Sequence, residues 1–124
     1  MKLPAVVERY IAAYNARDVD AMLACLTPDV HFQNISGGET NAETHGKAQF
    51  AELARLGASA FSSRRQTVVH CINVVERTMA EVDFEAVVAA DLPNGWKAGQ
   101  KLAFTGASYF EMRDGAIARI VDES

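Results

Sequence analysis

Five stretches of this sequence alternate in polarity as β-strands do, and four of them interrupt their apolar face with a residue able to do polar chemistry. Side chains two apart along a strand share a face. The apolar faces read Val30, Phe32, Asn34; Val68, His70, Ile72, Val74; Val82, Phe84, Ala86, Val88; Phe104, Gly106, Ser108, Phe110, Met112; and Ala118, Ile120, Asp122. Asn34, His70, Ser108 and Asp122 are the interruptions. A buried polar group without a partner costs about 1–3 kcal/mol and a lone carboxylate more, so four on one inner face require a polar-lined cavity. There the Asp122 pKa rises toward neutrality unless a His70 imidazolium holds it down, and either state suits proton transfer. Tyr10 and Tyr14, four residues apart, share one side of a helix and would add hydroxyls to the same space. Each residue also has a structural reading: His70 satisfied by a carbonyl, Tyr10 as core, Asn34 and Ser108 as internal hydrogen-bond fillers, Asp122 as a solvated strand end.

Three helices and a strand-rich second half must position these groups. From Pro4 to about Asn15, Val6, Val7, Tyr10, Ile11 and Tyr14 recur at helical spacing, and Pro4 suits the first turn. Asp18 caps a second helix, Val19 to Leu26, which Thr27-Pro28 ends. Val30 to Asn34 reads as a strand, and Ile35 to Thr44 as a loop with room for a short strand near its end. A third helix runs from Lys47 to Ala60, with Phe50, Leu53, Ala54 and Leu56 on one side. Strands follow near 66–76, 79–90, 101–113 and 116–122, turning at Arg77-Thr78, at Leu92-Pro93-Asn94-Gly95 and at Arg113-Asp114-Gly115. The pattern is that of a single α+β domain spanning 1–124, with no repeat or linker.

Composition excludes several classes. With 12 Lys and Arg against 16 Asp and Glu, and no basic concentration beyond Arg64-Arg65, the sequence predicts no nucleic-acid partner. The start, Met1-Lys2-Leu3-Pro4 with Glu8-Arg9 close behind, lacks a signal-peptide run and nothing later reaches spanning length, so a cytoplasmic location and no membrane partner are expected. Cys25 and Cys71 read as reduced thiols, and His31, His45 and His70 are too scattered in sequence for a metal motif. No Gly-x-Ser-x-Gly elbow and no glycine-rich phosphate loop occurs. On the opposite faces, Asp83 and Glu85 read as solvated or dimer-contacting, while Val69, Cys71, Val75, Val87 and Tyr109 leave the outer side apolar enough to predict a homodimer.

Glu8-Arg9-Tyr10-Ile11-Ala12-Ala13-Tyr14-Asn15, the Asp18 to Asp29 segment and Phe110-Glu111-Met112-Arg113-Asp114-Gly115-Ala116-Ile117 together resemble the nuclear transport factor 2-like superfamily. That group includes SnoaL-like polyketide cyclases, ketosteroid isomerases, limonene epoxide hydrolases and scytalone dehydratase. The resemblance implies a cone-shaped, curved antiparallel sheet packed on three N-terminal helices, a cystatin-like α+β roll, and a homodimer. It places Tyr10 where ketosteroid isomerases hold their oxyanion-hole tyrosine, and Asn34 and Ser108 where those enzymes hold two aspartates. Phe32-Gln33-Asn34 is similar to the Tyr-Gln-Asn stretch of limonene epoxide hydrolases, although Glu81-Val82-Asp83-Phe84-Glu85 lacks the arginine of their triad. Asp122 falls on their last-strand aspartate and in the region of the SnoaL-like acid/base carboxylate; His70 is similar in placement to the scytalone dehydratase histidine.

The resulting expectation is a cofactor-independent, metal-free acid/base enzyme acting on a small apolar cyclic or polyketide-like molecule, by isomerase, cyclase, dehydratase or epoxide-hydrolase chemistry. Asp122, His70 and Tyr10 are the expected catalytic groups, and Asn34, Ser108, Tyr14, Phe32, Phe84, Phe104 and Phe110 the expected substrate contacts. The alternative is a non-catalytic module of the same fold that binds a small ligand or dimerises.

Overall fold

The protein is described by a computed structural model covering residues 2–124. In chain order the elements are α1 (Ala5–Asn15), α2 (Val19–Leu23), β1 (Leu26–Ser36), β2 (Glu39–His45), α3 (Lys47–Ala60), β3 (Phe61–Val74), β4 (Arg77–Val88), β5 (Lys101–Arg113) and β6 (Ala116–Glu123). The helices form where the helical spacing places them. Helix α1 buries Val6, Val7, Tyr10, Ile11 and Ala13, and the Asp18 carboxylate caps α2 by accepting from the Ala21 amide at 3.1 Å. Helix α3 buries Phe50, whereas Leu56 points outward, 66% exposed.

Helix α2 ends at Leu23, short of its expected limit, because Leu26 and Thr27 already belong to β1. Pro28 is tolerated in that strand because the pairing with β6 breaks between Leu26 and His31, where its missing N–H is not needed. The six strands form one curved sheet in the order β2-β1-β6-β5-β4-β3. Every neighbouring pair is antiparallel except β1 and β6, which run parallel and close the sheet around the end of the chain. The helices pack on its concave face over a core in which Val7, Val30, Phe110, Ile117 and Ile120 are fully buried. As the alternation predicts, Ala80, Val82, Ala86 and Val88 of β4 are buried while Glu81, Asp83 and Glu85 are exposed. No helix among the described residues is long and apolar enough to cross a membrane.

Three strands depart from their sequence reading: β2 spans Glu39–His45 where mainly a loop is expected, β6 buries Ile117 in place of Ala118 at a register shift, and β3 departs furthest. In β3, Val68 pairs with Val82 but His70 pairs with Glu81, so Val69 is the extra residue of a β-bulge. An odd insertion exchanges the two faces of everything that follows. His70, Ile72 and Val74 therefore lie on the exposed outer side, and Cys71 and Asn73 turn inward. There Asn73 donates to the Lys2 carbonyl at 2.7 Å and accepts from the fully buried Thr78 hydroxyl at 2.7 Å. The turn that follows falls at Val75-Glu76, two residues before the expected position, with Val75 at φ 54°.

Beyond the bulge, pairing also gathers residues that the sequence separates. His31 and His45 are direct partners across the β1–β2 hairpin, their rings stacked at 4.5 Å, and His31 Nε2 lies 2.6 Å from the Glu43 carboxylate.

Gly106, on the concave side of β5, shows how tightly β6 closes. A Cβ there would lie 2.6 Å from the Glu123 carbonyl oxygen, a backbone atom with no freedom to yield. Gly106→Ala is expected to destabilise the fold by about 1–3 kcal/mol, lowering the thermal midpoint by several degrees; an unchanged midpoint would contradict this closure.

Candidate active site

Between the helices and the concave face lies a cavity of about 530 Å³, within the range of small-molecule sites. Tyr10, Tyr14, Phe32, Asn34, Phe84, Phe104, Ser108 and Asp122 line it. Two expected site residues lie elsewhere. His70 is removed by the Val69 bulge to the outer surface, where it cannot pair with Asp122. Phe110 is 1% exposed and sits behind the wall, its ring packed edge-on against Tyr10 at 6.0 Å.

Strand register assembles the polar wall. Asp122 of β6 pairs with Ser108 of β5 on one side and with Asn34 of β1 on the other, so three adjacent strands present one polar residue each at the same level. The Ser108 hydroxyl donates to Asp122 Oδ1 at 2.6 Å. Asn34 donates through Nδ2 to Asn41 Oδ1 at 2.8 Å, joining the β1–β2 hairpin to the wall. Asp122 is half-buried and lines the cavity. Burial pushes its carboxyl from 3.8 up to about 6, partly offset by the Ser108 hydrogen bond, which favours the charged form.

The two tyrosines face this carboxyl from α1. Burial, and then the Asp122 charge, push the Tyr10 phenol well above its usual value, so it stays protonated and able to donate at neutral pH. Burial raises the Tyr14 phenol as well, against a lowering pull from Arg64. At the mouth, Phe84 packs against Phe104 at 5.0 Å and against Phe61 at 5.9 Å, and Trp96 lies 6.3 Å from Phe61. The loop between β4 and β5 holds Trp96 there through its own hydrogen bonds, including Leu92 N–H to the Trp96 carbonyl at 2.8 Å.

Sequence reading missed Arg64, Gln66, Phe61 and Trp96 as wall residues. For Arg64 and Gln66 the signal existed, since the alternation through Val68 continues backward to both; Phe61 falls off that alternation because Ser62 is the extra residue of a second bulge in β3. A charged residue on the inner register hid it. Trp96 lies in an irregular loop, where no periodicity identifies a facing side chain.

Residues 7–120 match the SnoaL-like domain. The chain belongs to the SnoaL-like domain family. It is similar in structure to a candidate polyketide cyclase from Xanthomonas campestris, with 26% identity and a TM-score of 0.81, over 96% of this chain and 87% of that one. A second candidate polyketide cyclase, from Pseudomonas putida, is 28% identical with a TM-score of 0.77, over 98% of this chain and 90% of that one. An LEH-like epoxide hydrolase from M. tuberculosis shares the fold at 18% identity and a TM-score of 0.76, over 97% of this chain and 80% of that one. No curated protein matches the chain. The nuclear transport factor 2-like resemblance and its α+β roll, read from the sequence, thus hold for the SnoaL-like family and its structural neighbours.

The raised Asp122 pKa has a consequence for stability. Between about pH 4 and pH 6 the folded protein keeps a proton that the unfolded chain has lost, so Asp122 costs stability as pH rises through that window. The shift from 3.8 to about 6 sets an upper bound of about 3 kcal/mol, reduced by the contact of the carboxyl with the cavity. Asp122→Asn is therefore expected to be more stable than the wild type to urea above about pH 6, with the difference fading below about pH 4. A variant less stable at about pH 8 would contradict the burial of an uncompensated charge.

Proposed function

We propose that this SnoaL-like protein is an acid/base enzyme acting on a small apolar cyclic or polyketide-like molecule, with Asp122 moving the proton. The observation that carries the reading is a carboxyl in a mostly apolar cavity, held by Ser108 at 2.6 Å and poised to titrate at about 6. Such a group is largely ionised at neutral pH yet takes a proton back easily, which suits a general base that must also act as an acid. In the proposed reaction the Asp122 carboxylate takes a proton from a carbon next to a substrate carbonyl. The electrons of that C–H bond move into the carbonyl system, and the developing oxyanion accepts a hydrogen bond from the Tyr10 hydroxyl. Asp122 then returns the proton to a different atom, completing an isomerisation, or the enolate carbon attacks a second carbonyl of the same molecule, whose π electrons move to its oxygen, and Asp122 returns the proton to that alkoxide as the ring closes. Tyr14 and Asn34 orient polar atoms of the substrate, and Phe32, Phe84 and Phe104 hold its apolar body. Side chains alone suffice for these steps, so the reading is cofactor-independent.

The test needs no knowledge of the natural product. A panel of small cyclic ketones is incubated with protein in deuterium oxide, and α-proton exchange is followed by NMR. Exchange is expected above the buffer rate, and Asp122→Asn is expected to reduce it by about a hundredfold to ten-thousandfold, because the amide cannot accept the proton. Tyr10→Phe is expected to reduce it less. Full exchange in Asp122→Asn would contradict the role of Asp122 and leave a binding module as the better reading.

We also propose that two copies pair through the outer face of the sheet. Ile72 and Met79, direct partners in β3 and β4, are 58% and 54% exposed, with Val69 nearby at 42%. Sedimentation is expected to give a dimer at micromolar concentration and Met79→Lys to give a monomer; a wild-type monomer would contradict this assembly.

A further inference from the structure

The cavity contains a second charge, and it is not the partner of the first. Arg64 is 7% exposed and lines the wall, yet among the described residues no carboxylate lies within salt-bridge distance of it. A guanidinium has five N–H donors and stays charged at any physiological pH. Its contacts account for only part of that capacity. Nε donates to the Tyr14 carbonyl at 3.0 Å, at the C-terminal end of α1, where a positive charge is favoured. The guanidinium carbon stands 3.6 Å above the centre of the Tyr14 ring, and Nη2 reaches only the Met22 sulfur, at 3.9 Å, a weak acceptor. Nη1 meets no acceptor among the described residues, and it faces Gly57 of α3, which offers no side chain.

What is left over, on a residue that lines the cavity, is a planar edge of Nη1 and Nη2 with no oxygen at hydrogen-bond distance among the described residues; the Tyr14 hydroxyl interacts with the guanidinium only from beyond that distance. A helix terminus and an aromatic face compensate part of a buried positive charge; a two-oxygen anion in the plane of the edge would compensate the rest and satisfy both nitrogens. Arg64 and Asp122 also sit on strands three positions apart in the sheet and at different levels along it, since the register leads from Arg64 to Leu102 of β5 and from Asp122 to Ser108. One molecule that touches both must therefore be anionic at one end and reactive at the other.

We propose that Arg64 forms a carboxylate subsite, and that the substrate of this protein is an unsaturated or carbonyl-bearing carboxylic acid. The acid group docks on the Nη1–Nη2 edge, the apolar body lies against Phe61, Phe84 and Phe104, and the remote end meets Asp122 and Tyr10. This inference rests on the acid/base reading for what happens at the remote end, but the subsite itself is a statement about binding.

The test compares trans-cinnamate with the neutral, nearly isosteric trans-cinnamamide by isothermal titration calorimetry at about pH 8, where the acid is fully ionised. Wild-type protein is expected to bind cinnamate at least about tenfold more tightly than the amide, the scale of a charge-assisted bidentate contact. Arg64→Met is expected to abolish that preference while keeping amide affinity within about threefold, because the apolar wall remains. Arg64→Lys, which keeps the charge and loses the planar edge, is expected to retain a preference several-fold smaller than the wild type, and it decides the matter if Arg64→Met does not fold. Equal affinities in the wild type, no cinnamate binding at all, or an undiminished preference in either variant would overturn the subsite. Since no step of this experiment requires turnover, the acid preference can stand when Asp122→Asn leaves exchange intact, and it can fail when exchange is lost.

Discussion

The structure is organised around one unfavourable placement, a carboxyl group in a mostly apolar cavity with, among the described residues, a single hydroxyl donor and no opposing charge in contact. Such a site does not arise from local preference, since a strand end one position further out would hydrate Asp122 at no cost. It exists because β6 is clamped on both sides. The antiparallel pairing with β5 sets Ser108 opposite Asp122, and the parallel pairing with β1 sets Asn34 opposite it. The close approach at Gly106 is part of the same clamp, for the backbone of Glu123 occupies the space that any side chain there would need. The core of Val7, Val30, Phe110, Ile117 and Ile120 supplies the stability against which the cost of that one carboxyl is set.

Much of this was legible in the sequence because one face of each strand is buried. Where burial is one-sided, the period of two fixes orientation, and in β4, in β5 and at the end of β6 the inner residues are the ones that alternation selects. The same logic failed in β3 for a specific reason. A bulge adds a residue without changing composition, and Val69, a β-branched residue in a run of them, carries no mark of being the extra one. Alternation therefore assigns every side chain of β3 beyond it to the wrong face, His70 included. Arg64 was lost to the opposite bias, since a charged residue in an inward position contradicts the rule that makes alternation readable. The stacking of His31 on His45 was illegible because it depends on hairpin register, and the segment between β1 and β2 gives no alternating pattern to set it.

Membership of the SnoaL-like family leaves the chemistry to the wall of the cavity. In this chain the wall separates two ionisable groups of opposite sign. Asp122 is held where desolvation disfavours its charge, while Arg64 is steadied by the end of α1 and the face of Tyr14. Tyr10 and Tyr14 lie within electrostatic reach of both. A salt bridge between the two would have neutralised each and left a merely structural pair. Kept apart, they give the cavity a polarity along which a substrate can be oriented.

The claim on which the account depends is the state of the Asp122 carboxyl, and carbon-13 NMR of the aspartate side-chain carboxyls reads it directly. The signal that disappears in Asp122→Asn is expected to titrate with a midpoint at about 6. A midpoint near 3.8 would mean that water or an unrecognised countercharge solvates the group, and would contradict a cavity built to hold a desolvated acid.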